Sequence, residues 1–174
     1  LNLREPDYYL DVDTRSMASV MGDTLKRSEE VFLREKPDAA MILGDTNSSV
    51  AAIVAERLHI PVYHMEAGNR SFDNNVPEEL NRRTVDHVAS FNLPYTEDSR
   101  RNLIAEGLHP RFIQKTGSPI PEVFEYYKPR ILESSALHDL GLSKGKYFLV
   151  SVHRQDKADT PKGMRMVLDC ISAV

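Results

Sequence analysis

Apolar residues along this chain fall into helix-spaced stretches separated by short continuous runs. Over residues 17–36 the positions Met17, Val20, Met21, Leu25, Phe32 and Leu33 recur at the spacing of an amphipathic helix, which Pro37 ends. Residues 39–43 (AAMIL) read as a strand covered on both faces, followed by a helix over 48–58 and a second strand over 61–65 (PVYHM). Two buried strands joined by one helix predict a parallel, right-handed βαβ unit. The alternation continues. Pro77 opens a helix to about Val88, residues 91–95 read as a third strand, and Thr96 caps a helix that ends near Gly107. Residues 112–115 predict another strand, 122–127 a short helix, and 128–145 a polar linker relieved only at 137–140. A new strand over 147–152 and a helix capped by Thr160-Pro161 close the chain.

The class that follows is α/β with a Rossmann-like open parallel sheet. Residues 1–127 are expected to form a partial N-terminal domain, 128–145 a linker, and 146–174 the start of a second Rossmann-like domain. Leu1 is not a methionine, and the last apolar pattern (Met164, Val167, Leu168, Ile171, Val174) stops in mid-helix, so both ends are expected to be cut.

Composition narrows the function classes. The 174 residues carry 22 Lys+Arg against 26 Asp+Glu, for a formal charge of −4. Because the basic residues are interspersed with acids, a nucleic-acid binder is not expected. No run of 18 apolar residues and no basic start leading into an apolar stretch are present, which argues against a membrane partner or a signal peptide and for the cytoplasm. Cys170, the one cysteine, supports no disulfide framework.

Ligands of open parallel sheets bind at the carboxyl ends of the strands. Asp45 follows the first apolar run and Glu66 the second, and Glu78-Glu79 open the next helix after a long loop. Asp45 could instead cap the helix behind it, and Glu79 is read as a favourable charge at a helix N-terminus. His64 reads as a satisfied core histidine, and Met17, Met21 and Met65 as core. Arg70 and Arg82, four residues after Glu66 and Glu78, either hold carboxylates or face an anionic substrate. A metal site is not expected: no His-x-x-x-His or Cys-x-x-Cys pair occurs, and Arg70 and Arg154 sit poorly beside a divalent ion. Walker and Gly-x-Gly-x-x-Gly loops are absent from the sequence.

Taken in order, residues 44–48 (GDTNS), 60–73 (IPVYHMEAGNRSFD), 76–82 (VPEELNR), 116–119 (TGSP) and 151–154 (SVHR) resemble the successive motifs of the non-hydrolysing UDP-N-acetylglucosamine 2-epimerases. Residues 69–73 are most similar to the capsule and O-antigen branch that makes UDP-N-acetyl-L-fucosamine. The resemblance covers the whole chain and about half of the family's length. It implies a two-domain, glycosyltransferase-like architecture, usually a homodimer, with a UDP-sugar in the interdomain cleft and no cofactor. It also implies anti elimination of UDP to a 2-acetamidoglucal, followed by re-addition. By motif, Asp45, Glu66, Glu78 and His153 match the catalytic positions, and Arg70, Arg82 and Arg154 lie in the same motifs as substrate-binding candidates. After Arg154 the sequence departs from the family pattern with Gln155-Asp156-Lys157. The family's opening Gly-Thr-Arg-Pro-Glu motif and its Ser-Gly-Gly phosphate segment do not occur, so the isolated 174-residue chain is expected to be inactive. The same architecture also suits a UDP-sugar glycosyltransferase, a hydrolysing epimerase or a non-catalytic nucleotide-sugar binding module.

Overall fold

Three of the early helices begin where a cap or a proline places them. In the computed structural model, which describes residues 3–151 and 160–173, helix α1 (Met17–Glu35) starts at Ser16, whose hydroxyl accepts from the Ser19 N–H. It ends at Lys36 in the left-handed conformation, immediately before Pro37. Strand β1 (Ala40–Leu43) leads through a 3₁₀ turn (Asn47–Val50) into α2 (Ala51–Arg57), and β2 (Val62–Met65) follows. Helix α3 (Pro77–Val88) has proline in its first turn, β3 spans Phe91–Leu93, and α4 (Glu97–Ala105) is capped by Thr96.

The three strands form one parallel sheet in the order β1-β2-β3, with Ala40 opposite Val62, Leu43 opposite Met65, and Met65 opposite Leu93. Crossover helices α2 and α3 join neighbouring strands, as the alternation predicts. One core layer packs Ala40, Val62 and Ile60 against Ala52, Ala55 and Val85, with Phe32 and Ile42 at its margin. A second cluster of Ala67, Leu103 and Ile113 lies under α4. On the opposite sheet face Tyr63 stacks on Phe91 at 4.9 Å, and Phe112 meets Phe91 edge-on.

Several expectations are revised. The face of β1 bearing Met41 and Leu43 is exposed, because the helices pack on its Ala40 and Ile42 side. Met17 is exposed as well. Strand β3 stops at Leu93. The 112–115 segment makes only a single bridge, Ile113 to Asn92, although Gln114 N–H to Asn92 O and Thr116 N–H to Pro94 O continue the parallel course. Helix α5 (Ile120–Leu132) runs beyond the short helix expected there, and α6 (Ala136–Asp139) lies within the stretch read as a linker. Residues 147–151 have no regular structure. A lone strand has no ladder to join, and among the described residues none pairs with it.

The chain divides into a unit over residues 1–122 and a unit over 123–174. In the second, α7 (Pro161–Ser172) begins at Thr160, which accepts from the Gly163 N–H. Among the described residues no helix is long and apolar enough to cross a membrane.

Gly68 tests how tightly the loop after β2 is held. It has φ +78°, and a Cβ there would stand 2.3 Å from the Ser99 carbonyl oxygen of α4. Gly68→Ala is expected to cost about 2–5 kcal/mol, from backbone strain plus overpacking, read as a lower urea midpoint.

Candidate active site

The end of β1 and the end of β2 are neighbours in the sheet, so the residues that follow them emerge side by side. Gly44 N–H bonds to Met65 O at 3.2 Å, and a Cβ on Gly44 would lie 3.8 Å from Glu66 Oε2. Asp45 and Glu66 therefore flank one point of the carboxyl edge, as the topology of an open parallel sheet requires. Glu66 adopts φ +66°, a left-handed conformation uncommon for a residue with a side chain.

Asp45 does not cap the following turn. Its Oδ2 accepts from Arg82 Nε at 2.9 Å and also pairs with Arg82 Nη2. Arg82 reaches Asp45 from α3, and its Nη1 donates to Glu79 Oε2 at 3.0 Å. The pairing expected between Glu78 and Arg82 thus runs instead through Glu79, one turn away on the inner face. Glu79, read from sequence as a favourable charge at a helix N-terminus, does lie in the first turn of α3 and is also buried, at 1% exposed. The same Oε2 accepts from the Ser71 N–H at 2.9 Å and the Ser71 hydroxyl at 3.1 Å. Burial opposes ionisation of Glu79, but the Ser71 bonds and the Arg82 charge outweigh it and hold its carboxyl below the ordinary value. Asn81, from the same helix, donates to Asp45 O and to Asn47 Oδ1, both at 3.0 Å. Glu78 is exposed at the start of α3.

Arg70 does not face open space. Its side chain is fully buried, with Nη1 on Asp86 Oδ2 at 2.7 Å, Nε on Glu106 Oε1 at 2.7 Å, and Nη1 also on the carbonyl of Asn69. Burial works against its charge, and the carboxylates of Glu106 and Asp86 more than offset that, raising its pKa above the usual arginine range. Asp86 is the hub of this cluster. It also accepts from the Gly68 N–H and pairs with His64 Nδ1 at 2.8 Å, while His64 Nε2 lies 2.9 Å from Gly44 O. His64 is the satisfied core histidine expected from its place in a strand.

Sequence reasoning missed Asp86, Glu106, Asn81 and Tyr95. A signal existed for α3: positions 79, 82 and 86 lie on one stripe at i, i+3 and i+7, and their polarity contradicts a purely apolar inner face. Tyr95 lies just past β3 at the same edge, where burial and then the charge of Glu66 raise its hydroxyl pKa. His153 and Arg154 lie outside the described residues.

The model of the UDP-N-acetylglucosamine 2-epimerase family matches residues 1–174. The UDP-N-acetylglucosamine 2-epimerase of Methanocaldococcus jannaschii is 35% identical over 98% of this chain and 48% of its own length. Its crystal structure in complex with UDP-GlcNAc and UDP aligns with TM-score 0.86 at 34% identity, over 99% of this chain and 48% of that one. The UDP-N-acetylglucosamine 2-epimerase structure from Rickettsia bellii aligns with TM-score 0.86 at 44% identity, over 97% and 46%. A UDP-2,3-diacetamido-2,3-dideoxy-D-glucuronate 2-epimerase of Pseudomonas aeruginosa is 32% identical over 100% and 49%. The chain spans about half the length of the curated relatives it matches.

Two stability outcomes follow from the buried charges. Asp86→Asn leaves the buried Arg70 undercompensated and is expected to cost about 3–5 kcal/mol in urea unfolding. Glu79 and Glu106, the latter held chiefly by its Arg70 hydrogen bonds, both titrate below the ordinary range in the folded chain. Their stabilisation is complete above the unfolded value of about 4.3 and is lost as pH falls through the lower folded values. The urea midpoint should fall in that acid window, and less steeply in Glu79→Gln.

Proposed function

This chain belongs to the UDP-N-acetylglucosamine 2-epimerase family, and from that premise we propose that the protein inverts C2 of a UDP-N-acetylhexosamine. The substrate is UDP-N-acetylglucosamine, converted to the manno epimer, or a 6-deoxy analogue. One observation carries the reading: Asp45 and Glu66 emerge from adjacent parallel strands on either side of Gly44, at the edge where such sheets take ligands.

The chemistry explains why acids are needed there. The C2 hydrogen of the sugar has no adjacent carbonyl to acidify it, so its removal must accompany rupture of the C1–O bond. A carboxylate takes the C2 proton as the C1–O electron pair leaves with UDP, and C1 and C2 become doubly bonded. A proton then returns to C2 from the opposite face, and a diphosphate oxygen adds back to C1. The sum is redox-neutral. Inversion needs proton-handling groups on two faces, and the departing diphosphate needs positive charge.

Asp45 and Glu66 are assigned to proton transfer and to stabilising positive charge at C1. Glu78 works from the opposite face or orients the sugar, and His153 with Arg154 and Arg82 meets the diphosphate. Arg82 engages Asp45 and Glu79 through three N–H groups, which leaves two of its five for an anion. Arg70 is assigned to holding the loop, since its partners are Asp86, Glu106 and the Asn69 carbonyl. The reading extends to a cytoplasmic homodimer that supplies capsule or O-antigen precursors, supported by the resemblance of residues 69–73 to that branch.

The test incubates the full-length protein with UDP-N-acetylglucosamine in D₂O. The expected result is the manno epimer with deuterium at C2, and Asp45→Asn or Glu66→Gln should slow its formation about 10²–10⁴-fold with folding retained. Sugar transfer to an acceptor without label at C2 would indicate a glycosyltransferase. Release of free sugar as the product would indicate a hydrolysing enzyme, and binding without turnover a non-catalytic module.

A further inference from the structure

The loop that carries Glu66 is held at several polar atoms around Gly68 and Asn69. Gly68 N–H donates to Asp86, Gly68 O accepts from Asn102 Nδ2 at 3.0 Å, and Asn69 O accepts from the buried Arg70 at 2.7 Å. This fixes the backbone of Asn69, so its side chain leaves from a set position. Asn69 Nδ2 lies 3.2 Å from Glu66 Oε1, and Asn69 Oδ1 lies 2.7 Å from the hydroxyl of Ser99 in α4.

The directions of these bonds follow from chemistry. Within this pair an ionised carboxylate only accepts, so the amide NH₂ of Asn69 must face Glu66 and its carbonyl must face Ser99. The Ser99 hydroxyl therefore donates to Asn69 and accepts from the Thr96 hydroxyl at 2.8 Å, while Thr96 Oγ1 accepts from the Ser99 N–H at 3.1 Å. A one-way chain of donors thus runs from the capped N-terminus of α4 through Ser99, which is 4% exposed, to Oε1 of Glu66. With Oε1 engaged, Oε2 is the carboxylate oxygen on the Gly44 side.

We propose that Asn69 is a positioning residue: its amide, locked by Ser99, holds the Glu66 carboxylate by one oxygen and presents the other to the sugar. This rests on the assignment of Glu66 to the chemistry made above. An asparagine does this where aspartate would set a second negative charge against Glu66, and where leucine would leave the carboxylate free to rotate. Asn69 acts through Glu66 and is not itself assigned a contact with substrate.

Two measurements on the full-length protein separate this proposal from the function it rests on. Kinetically, Asn69→Leu should lower kcat for epimerisation and C2 deuterium exchange about 10–100-fold, with KM within threefold and the melting temperature nearly unchanged. Ser99→Ala should give a smaller loss in the same direction. In a Glu66→Gln background, Asn69→Leu should add no further loss. Spectroscopically, the side-chain amide signals of Asn69 should differ between the wild type and Glu66→Gln, because the amide loses its carboxylate partner. Equal fold losses in both backgrounds, a raised KM at unchanged kcat, or amide signals indifferent to Glu66 would each overturn the proposal. Full activity of Glu66→Gln would overturn the catalytic assignment instead, leaving the amide signals to report on the contact alone.

Discussion

The Asp86 carboxylate, buried with Arg70, is the interaction on which the candidate site depends. A loop leaving the end of a strand loses its ladder partners, and its N–H and C=O groups must find others or remain in water. Here one carboxylate on α3 serves the Gly68 N–H, the Arg70 guanidinium and the His64 ring together. Because both charges are out of water, each is indispensable to the other. The loop therefore has one arrangement, and Glu66 and Asn69 are held at its start.

A second anchor works in parallel from the same helix. Glu79 and Arg82, near the start of α3, tie the Ser71 end of the loop to the Asp45 end of the β1 segment, and Asn81 adds a bond to Asp45 O. Helix α3 thus packs its apolar residue Val85 into the core while turning a polar stripe toward two loops. The charges divide by burial: Arg70, Asp86 and Glu79 are enclosed and hold, whereas Asp45 and Glu66 are partly open and available to a ligand. Preorganisation of this kind lets a polar site act without rearranging at the moment of reaction.

Much of the first unit was legible because its signals are local. Thr96 caps the helix it precedes, as Thr160 does in the second unit, Pro37 and Pro77 bound others, and the apolar runs before Asp45 and Glu66 are strands. The bounds of β3, the length of α5 and the irregular course of 147–151 were not legible. A strand exists only where a partner offers a ladder, and no local pattern states which partner that is. The openness of the Met41 face has a different cause, since only packing decides which side of a sheet the helices cover.

For the site, the sequence alone determined the chemical types and their order: an acid directly after each of two strands, acids opening α3, and arginines four residues behind. Those follow from covalent spacing and strand periodicity, which are properties of the chain itself. Only the tertiary structure decided which charges pair. Arg82 pairs with Asp45 at a separation of 37 residues and Arg70 with Glu106 at 36, and Glu79 rather than Glu78 turns inward. Partner choice among like charges depends on distance and desolvation, and both come into being only when the helices and loops close over one another.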